Sequence, residues 1–111
     1  MVNFEKIDNV EVATFTVNKI NALIADEIRD QIIKVFESGH AKVVIDLKGV
    51  EYIDSSGFGC FLSSLKAAKN NYGILKIANA EPPVKALFET LHLHTIFEIF
   101  GDTDSCIRSF R

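Results

Sequence analysis

Apolar and polar residues alternate from Asn9 to Val17, with Val10, Val12 and Phe15–Val17 as β-branched or aromatic members, which predicts a half-buried strand. Phe4–Ile7 is placed to pair with it. From Ala22 to Ser38 the period changes: Ile24, Ile28, Ile32, Val35 and Phe36 recur every three or four residues, one apolar stripe on a helix, and Gly39 is placed to end it. Lys42–Leu47 is a nearly continuous apolar run, the pattern of a strand covered on both faces or lying at the centre of a parallel sheet. Tyr52-Ile53 leads into Asp54-Ser55-Ser56-Gly57, after which Phe58, Phe61, Leu62, Leu65 and Ala68 resume helical spacing as far as Asn70–Gly73. Ile74–Ala78 reads as a further strand. Pro82-Pro83 opens a third helix carrying Val84, Leu87, Phe88 and Leu91. Thr95–Phe100 is a last strand candidate, and Asp102–Phe110 a short final helix capped by Asp102 or Thr103.

Strands alternating with helices predict a single α/β domain over residues 1–111, because each helix returns the chain for a parallel crossover. One apolar stripe per helix covers one face of a sheet. The expected architecture is therefore two-layer, a mixed, mostly parallel sheet of about four or five strands with about four helices mainly on one face.

Composition bounds the function. The chain has 111 residues, 48% of them hydrophobic, with nine Phe and no Trp, enough for one core and too little for a multi-domain enzyme. A formal charge of −3 offers no attractive field to nucleic acid or an anionic membrane. Charges at Glu5, Lys6, Asp8 and Glu11 argue against a signal peptide, and no apolar run approaches the ~18 residues of a membrane span. Cys60 and Cys106 stand far apart, as reduced thiols of a cytoplasmic protein would.

Chemistry concentrates at Tyr52–Gly59. A helix start after a buried strand presents unpaired N–H groups and the positive end of the helix dipole, which favour an anion. Asp54 or Ser55 can serve as the N-cap, with Gly57 and Gly59 allowing close packing. Two adjacent hydroxyls exceed what one cap requires, and a phosphate on a serine here would gain charge-assisted bonds to N–H groups.

These residues resemble the STAS domain family, above all its bacterial anti-sigma factor antagonists. The matching segments are Val43–Leu47, Tyr52–Gly59, Gly73–Ile77 and Pro83–Phe88, nearly the whole chain, and the strand–DSSG–helix element is the most specific of them. The resemblance implies a non-enzymatic binding switch with no cofactor. Ser55 would be phosphorylated by an anti-sigma factor that is also a serine kinase; the unphosphorylated form would bind that partner and free the sigma factor, and a serine phosphatase would restore binding. Asp54, Ser56, Gly57, Phe58 and Asn21 would belong to the partner surface, with Phe58 an apolar contact wherever it is exposed. This sequence departs from the family at Asn18-Lys19-Ile20-Asn21, where the antagonists often read G-x-L-D, and at Leu91-His92, where a small S-G pair is usual. An alternative within the family is an accessory STAS subunit of a lipid-transport ATPase, with DSSG as a structural or docking element.

Other constellations are incomplete. Ile53–Gly57 supplies only the second half of a G-x-S-x-G elbow, Gly57-Phe58-Gly59 lacks the third glycine of a dinucleotide fingerprint, and there is no P-loop. His92 and His94 would share one face of an extended segment, but no third metal ligand lies nearby in sequence. Asp26, Glu27, Arg29, Asp30 and Lys34 read as the solvated face of the first helix or, equally, as part of a docking surface.

Overall fold

Asp8 and Asn9 both take positive φ, 51° and 65°, the backbone of a tight hairpin turn that suits Asn and Asp better than bulkier residues. The turn folds β1 (Val2–Ile7) antiparallel onto β2 (Val10–Phe15), with Val2 opposite Phe15 and Ile7 opposite Val10. In the computed structural model, which describes Met1–Arg111, every later strand of this sheet is parallel to its neighbour. The order is β1-β2-β4-β6-β7, where β4 is Lys42–Asp46, β6 Ile74–Ala78 and β7 Ile99–Phe100; two further short strands, β3 (Lys19–Ile20) and β5 (Tyr52–Ile53), pair apart from it. The sheet is thus mixed and mostly parallel, as the alternation of elements implies.

Crossovers are made by α1 (Ala22–Glu37), α2 (Ser55–Asn70) and α3 (Pro82–Thr90). Gly39, at φ 99°, follows α1 in a conformation that strains any residue with a Cβ. The three helices bury Ile28, Ile32, Phe36, Phe58, Phe61, Val84 and Phe88 against Ala13, Val43, Ile45, Leu75 and Ile77 of the sheet. The alternate residues Val10, Val12, Val44 and Ala78 point to the other face, where α4 (Thr103–Arg108) covers them with Cys106 and Ile107. That short helix explains why Val43, Val44 and Ile45 are all fully buried although the main helices occupy one face. Asp102 caps it, accepting a hydrogen bond from Ser105 N at 2.7 Å. Lys76, 7% exposed, reaches this layer too and donates to Ser109 Oγ at 2.8 Å.

Three expectations need correction. Thr95–Phe100 is not one strand: His92 takes φ 57°, Leu93–Thr95 forms a single 3₁₀ turn that seats Leu93 and Phe97 in the core, and only Ile99–Phe100 extends the sheet. His92 and His94 therefore do not line an extended face, although their rings lie 6.2 Å apart, and no group of three His, Cys, Asp or Glu side chains is placed to hold a metal ion. Within the α2 stripe, Leu62 is 38% exposed; the buried row continues through Ser64, whose hydroxyl donates to Cys60 O at 2.8 Å.

Both cysteines are free and buried. Burial pushes the Cys60 thiol from its ordinary 9.0 up to about 12, against the opposing pull of Arg29, and pushes Cys106 up to about 11. The fold holds the neutral thiols, so their contribution is present below about pH 9 and is lost as pH rises towards 11–12. Two results are expected: native protein reacts slowly with a thiol reagent at pH 8 while urea-unfolded protein reacts at both positions, and the urea midpoint declines above pH 9. Fast native labelling at pH 8 would contradict the burial of both sulfurs.

Candidate functional site

Two short parallel strands build the site. Lys19 pairs with Tyr52 and Ile20 with Ile53, and Asp54 N donates to Ile20 O at 3.1 Å. Each strand is followed at once by an N-cap and a helix. Asn21 Oδ1 accepts from Leu23 N at 3.0 Å to start α1, and Asp54 Oδ1 accepts from Gly57 N at 3.0 Å to start α2. Because the strands are in register, the two helices begin side by side and run on in contact. Asn21 thus has a concrete structural role, and its side chain meets the cap requirement without a charge.

The cap at α2 is Asp54, which leaves both serines unused by the fold. Ser55 and Ser56 occupy the first two positions of the helix, both exposed, and neither hydroxyl has a protein hydrogen-bond partner. Their N–H groups have no residue four positions back within the helix to bond to and lie at the positive end of the dipole, on two exposed residues. No histidine or carboxylate is bonded to Ser55, so nothing activates it as a nucleophile. It presents a free hydroxyl in a setting that stabilises negative charge.

Directly beneath, Gly57 fixes how closely α2 approaches the strands. A Cβ added there would lie 2.5 Å from Ile53 Cγ2 and 2.9 Å from Ile20 O, a backbone atom that cannot step aside, whereas at Gly59 it would meet nothing within 4 Å. The expectation that both glycines serve close packing therefore holds for Gly57 alone. Gly57→Ala gains up to ~1 kcal/mol of helix propensity but incurs overpacking of about 1–3 kcal/mol, so a net loss of stability is expected. Gly59→Ala should instead raise the urea midpoint. Equal shifts in the two variants would show that Gly57 is not in a close approach.

Phe58 is 4% exposed, and the idea that it is an apolar contact for a partner is corrected: its ring packs edge-on against Phe88, with centroids 5.0 Å apart. One turn into a helix with one buried stripe, it faces inward for the same reason as Phe61. Beside the two caps, the large apolar side chains that reach solvent are Tyr52, 49% exposed and two residues before one cap, and Leu23, 90% exposed and two residues after the other. Leu23 left a signal in the sequence, since an apolar residue one position off the Ile24–Ile28–Ile32 stripe must point about 100° away from the core. No helix is long and apolar enough to cross a membrane.

The STAS domain pattern matches residues 1–106. The chain belongs to the STAS domain family. Among curated relatives, the anti-sigma-B factor antagonist of Bacillus subtilis is 30% identical over 90 residues, which cover 81% of this chain and 82% of that protein. An anti-sigma-factor antagonist STAS domain protein from Planctomyces limnophilus superposes with a TM-score of 0.87 at 16% identity, covering 99% of this chain and 97% of the other. The Bacillus cell fate determinant SpoIIAA, solved in its phosphorylated form, superposes with a TM-score of 0.76 at 17% identity and covers all of both chains. This STAS chain thus shares its fold with anti-sigma factor antagonists, and its DSSG element sits at the start of α2.

Proposed function

We propose that this STAS protein is an anti-sigma factor antagonist whose binding is switched off by phosphorylation of Ser55. The observation that carries the reading is the division of labour at α2: Asp54 caps the helix, so the Ser55 hydroxyl is exposed and unbonded beside unpaired N–H groups. A relative of established family likeness is an anti-sigma-B factor antagonist, and a protein of the same fold exists in a phosphorylated form. The unphosphorylated surface formed by Asn21, Asp54, Ser55 and Ser56, extended by Leu23 and Tyr52, docks on the anti-sigma factor and releases the sigma factor. Gly57 and Phe58 support that surface from beneath. The kinase is the anti-sigma factor itself, using cytoplasmic ATP, and a serine phosphatase resets the switch.

Incubation with the cognate anti-sigma factor and ATP should add one phosphate by intact mass, located on Ser55 by fragmentation and absent from Ser55→Ala. Phosphate on another residue, or none on the wild type, would overturn the reading. A pull-down that recovers transporter ATPase subunits in place of an anti-sigma factor would favour the accessory-subunit alternative.

A further inference from the structure

The loop of residues 47–51 carries the chain from the central strand β4 to the Ser55 site, and all of its amides are bonded, Leu47 N to Ala78 O and Val50 N to Leu47 O, each at 3.0 Å, among them. Lys48 N donates to Asp46 Oδ1 at 3.0 Å, within the loop's own turn. Glu51 N and Tyr52 N donate to Asn18 O at 2.8 and 3.3 Å, which belongs to the pairing of β3 with β5. Gly49 N donates to Glu81 Oε2 at 2.8 Å, a contact that spans 32 residues of sequence and joins the loop to α3.

Glu81 stands at the N-cap position of α3 but caps nothing there. The first two helical residues are Pro82 and Pro83, which have no N–H, and its side chain makes no bond to its own helix. The carboxylate is thereby left for Gly49, and a bond from an amide to a charged acceptor is stronger than one to a neutral oxygen. Gly49 has φ 85° and a Cβ there would touch nothing, so neither side-chain packing nor an ordinary backbone basin holds this point of the loop. Val50 next to it is fully buried and its N–H donates to Leu47 O at 3.0 Å, so Gly49 is the tip of a closed turn whose far end leads directly into β5, and Glu81 is the contact that holds that tip from outside the turn.

We propose that Glu81 is a positioning residue for the Ser55 switch: by holding Gly49 it sets the place of the loop and of β5, and hence the presentation of Ser55 to the anti-sigma factor. This rests on the switch reading given above. The test compares Glu81→Ala, Glu81→Gln and, as a control on the exposed face of α3, Glu89→Ala. Amide exchange at Gly49 should accelerate about tenfold in Glu81→Ala, with Glu81→Gln closer to wild type because it keeps an acceptor oxygen. In the phosphorylation assay Glu81→Ala should raise KM for this protein about threefold and leave kcat unchanged, since docking and not phosphoryl transfer is disturbed. Unchanged exchange at Gly49, or faster exchange with an unchanged KM, overturns the positioning role. A wild-type protein that is neither bound nor phosphorylated overturns the switch reading, and the positioning role with it, even where the exchange difference between the variants appears.

Discussion

Phe88→Ala should lower stability by about 3–5 kcal/mol, the usual cost of removing a fully buried Phe, against a total of roughly 5–15 kcal/mol for a domain of this size. Phe88 is 0% exposed and is the middle ring of a chain of three. Phe58 meets it edge-on at 5.0 Å and 87°, and Phe97 at 5.8 Å and 82°. Each such pair adds about 0.5–1.5 kcal/mol beyond the area it buries, so the substitution removes two pair terms as well as leaving a cavity. Leu91→Ala, at the end of the same helix where the side chain is 50% exposed, should stay within about 0.5 kcal/mol of wild type. Urea unfolding decides: the Phe88→Ala midpoint should fall with the slope unchanged, and equal midpoints for the two variants would show that α3 is not seated as described. Because Phe58 lies in the first turn of α2, the cavity also loosens the floor under Ser55.

The parts of this fold that show in the sequence are those where several residues repeat one instruction. The run Val43-Val44-Ile45 alternates between two apolar clusters, so a strand buried on both faces is required whatever covers the second face, and α4 turns out to supply that cover. The α1 stripe and the Pro82 start are legible for the same reason. The β3–β5 pair is not, since two residues per strand cannot display a period and only their register with each other defines them. Thr95–Phe100 looked like a strand because Ile96, Phe97, Ile99 and Phe100 are β-branched or aromatic; tertiary burial of Leu93 and Phe97 through a 3₁₀ turn overrides that preference. At the site, DSSG marked the helix start, but composition could not say which residue caps it. The hydrogen bond from Gly57 N to Asp54 decides, and it turns two ambiguous serines into two free hydroxyls. Glu81 had no signal at all, because its partner is a backbone N–H 32 residues away.

Phosphorylation of Ser55 should weaken binding to the anti-sigma factor by about a hundredfold or more, some 2.7 kcal/mol, and Ser55→Asp by about tenfold. The ordering follows from charge. A phosphate adds about −1.5 to −2 at neutral pH and an aspartate only −1, next to an Asp54 carboxylate already bonded to Gly57 N. In the free protein the N–H groups of Ser55 and Ser56 stabilise the added charge; in the complex those groups and the oxygens must shed water against a surface shaped for a hydroxyl. The two effects act in the same direction, so binding should weaken without any change of fold. Ser55→Ala should bind like the wild type and become indifferent to ATP. Salt separates the contributions: raising ionic strength from 0.15 to 1 M shortens the screening length from ~8 to ~3 Å and removes long-range repulsion, but not the cost of desolvating a phosphate in contact. Calorimetric titration should therefore show the phosphorylated form still at least about tenfold weaker at 1 M salt. Full recovery at high salt would mean that the phosphate acts from outside the interface, and equal affinity of the two forms at low salt would remove Ser55 from the switch.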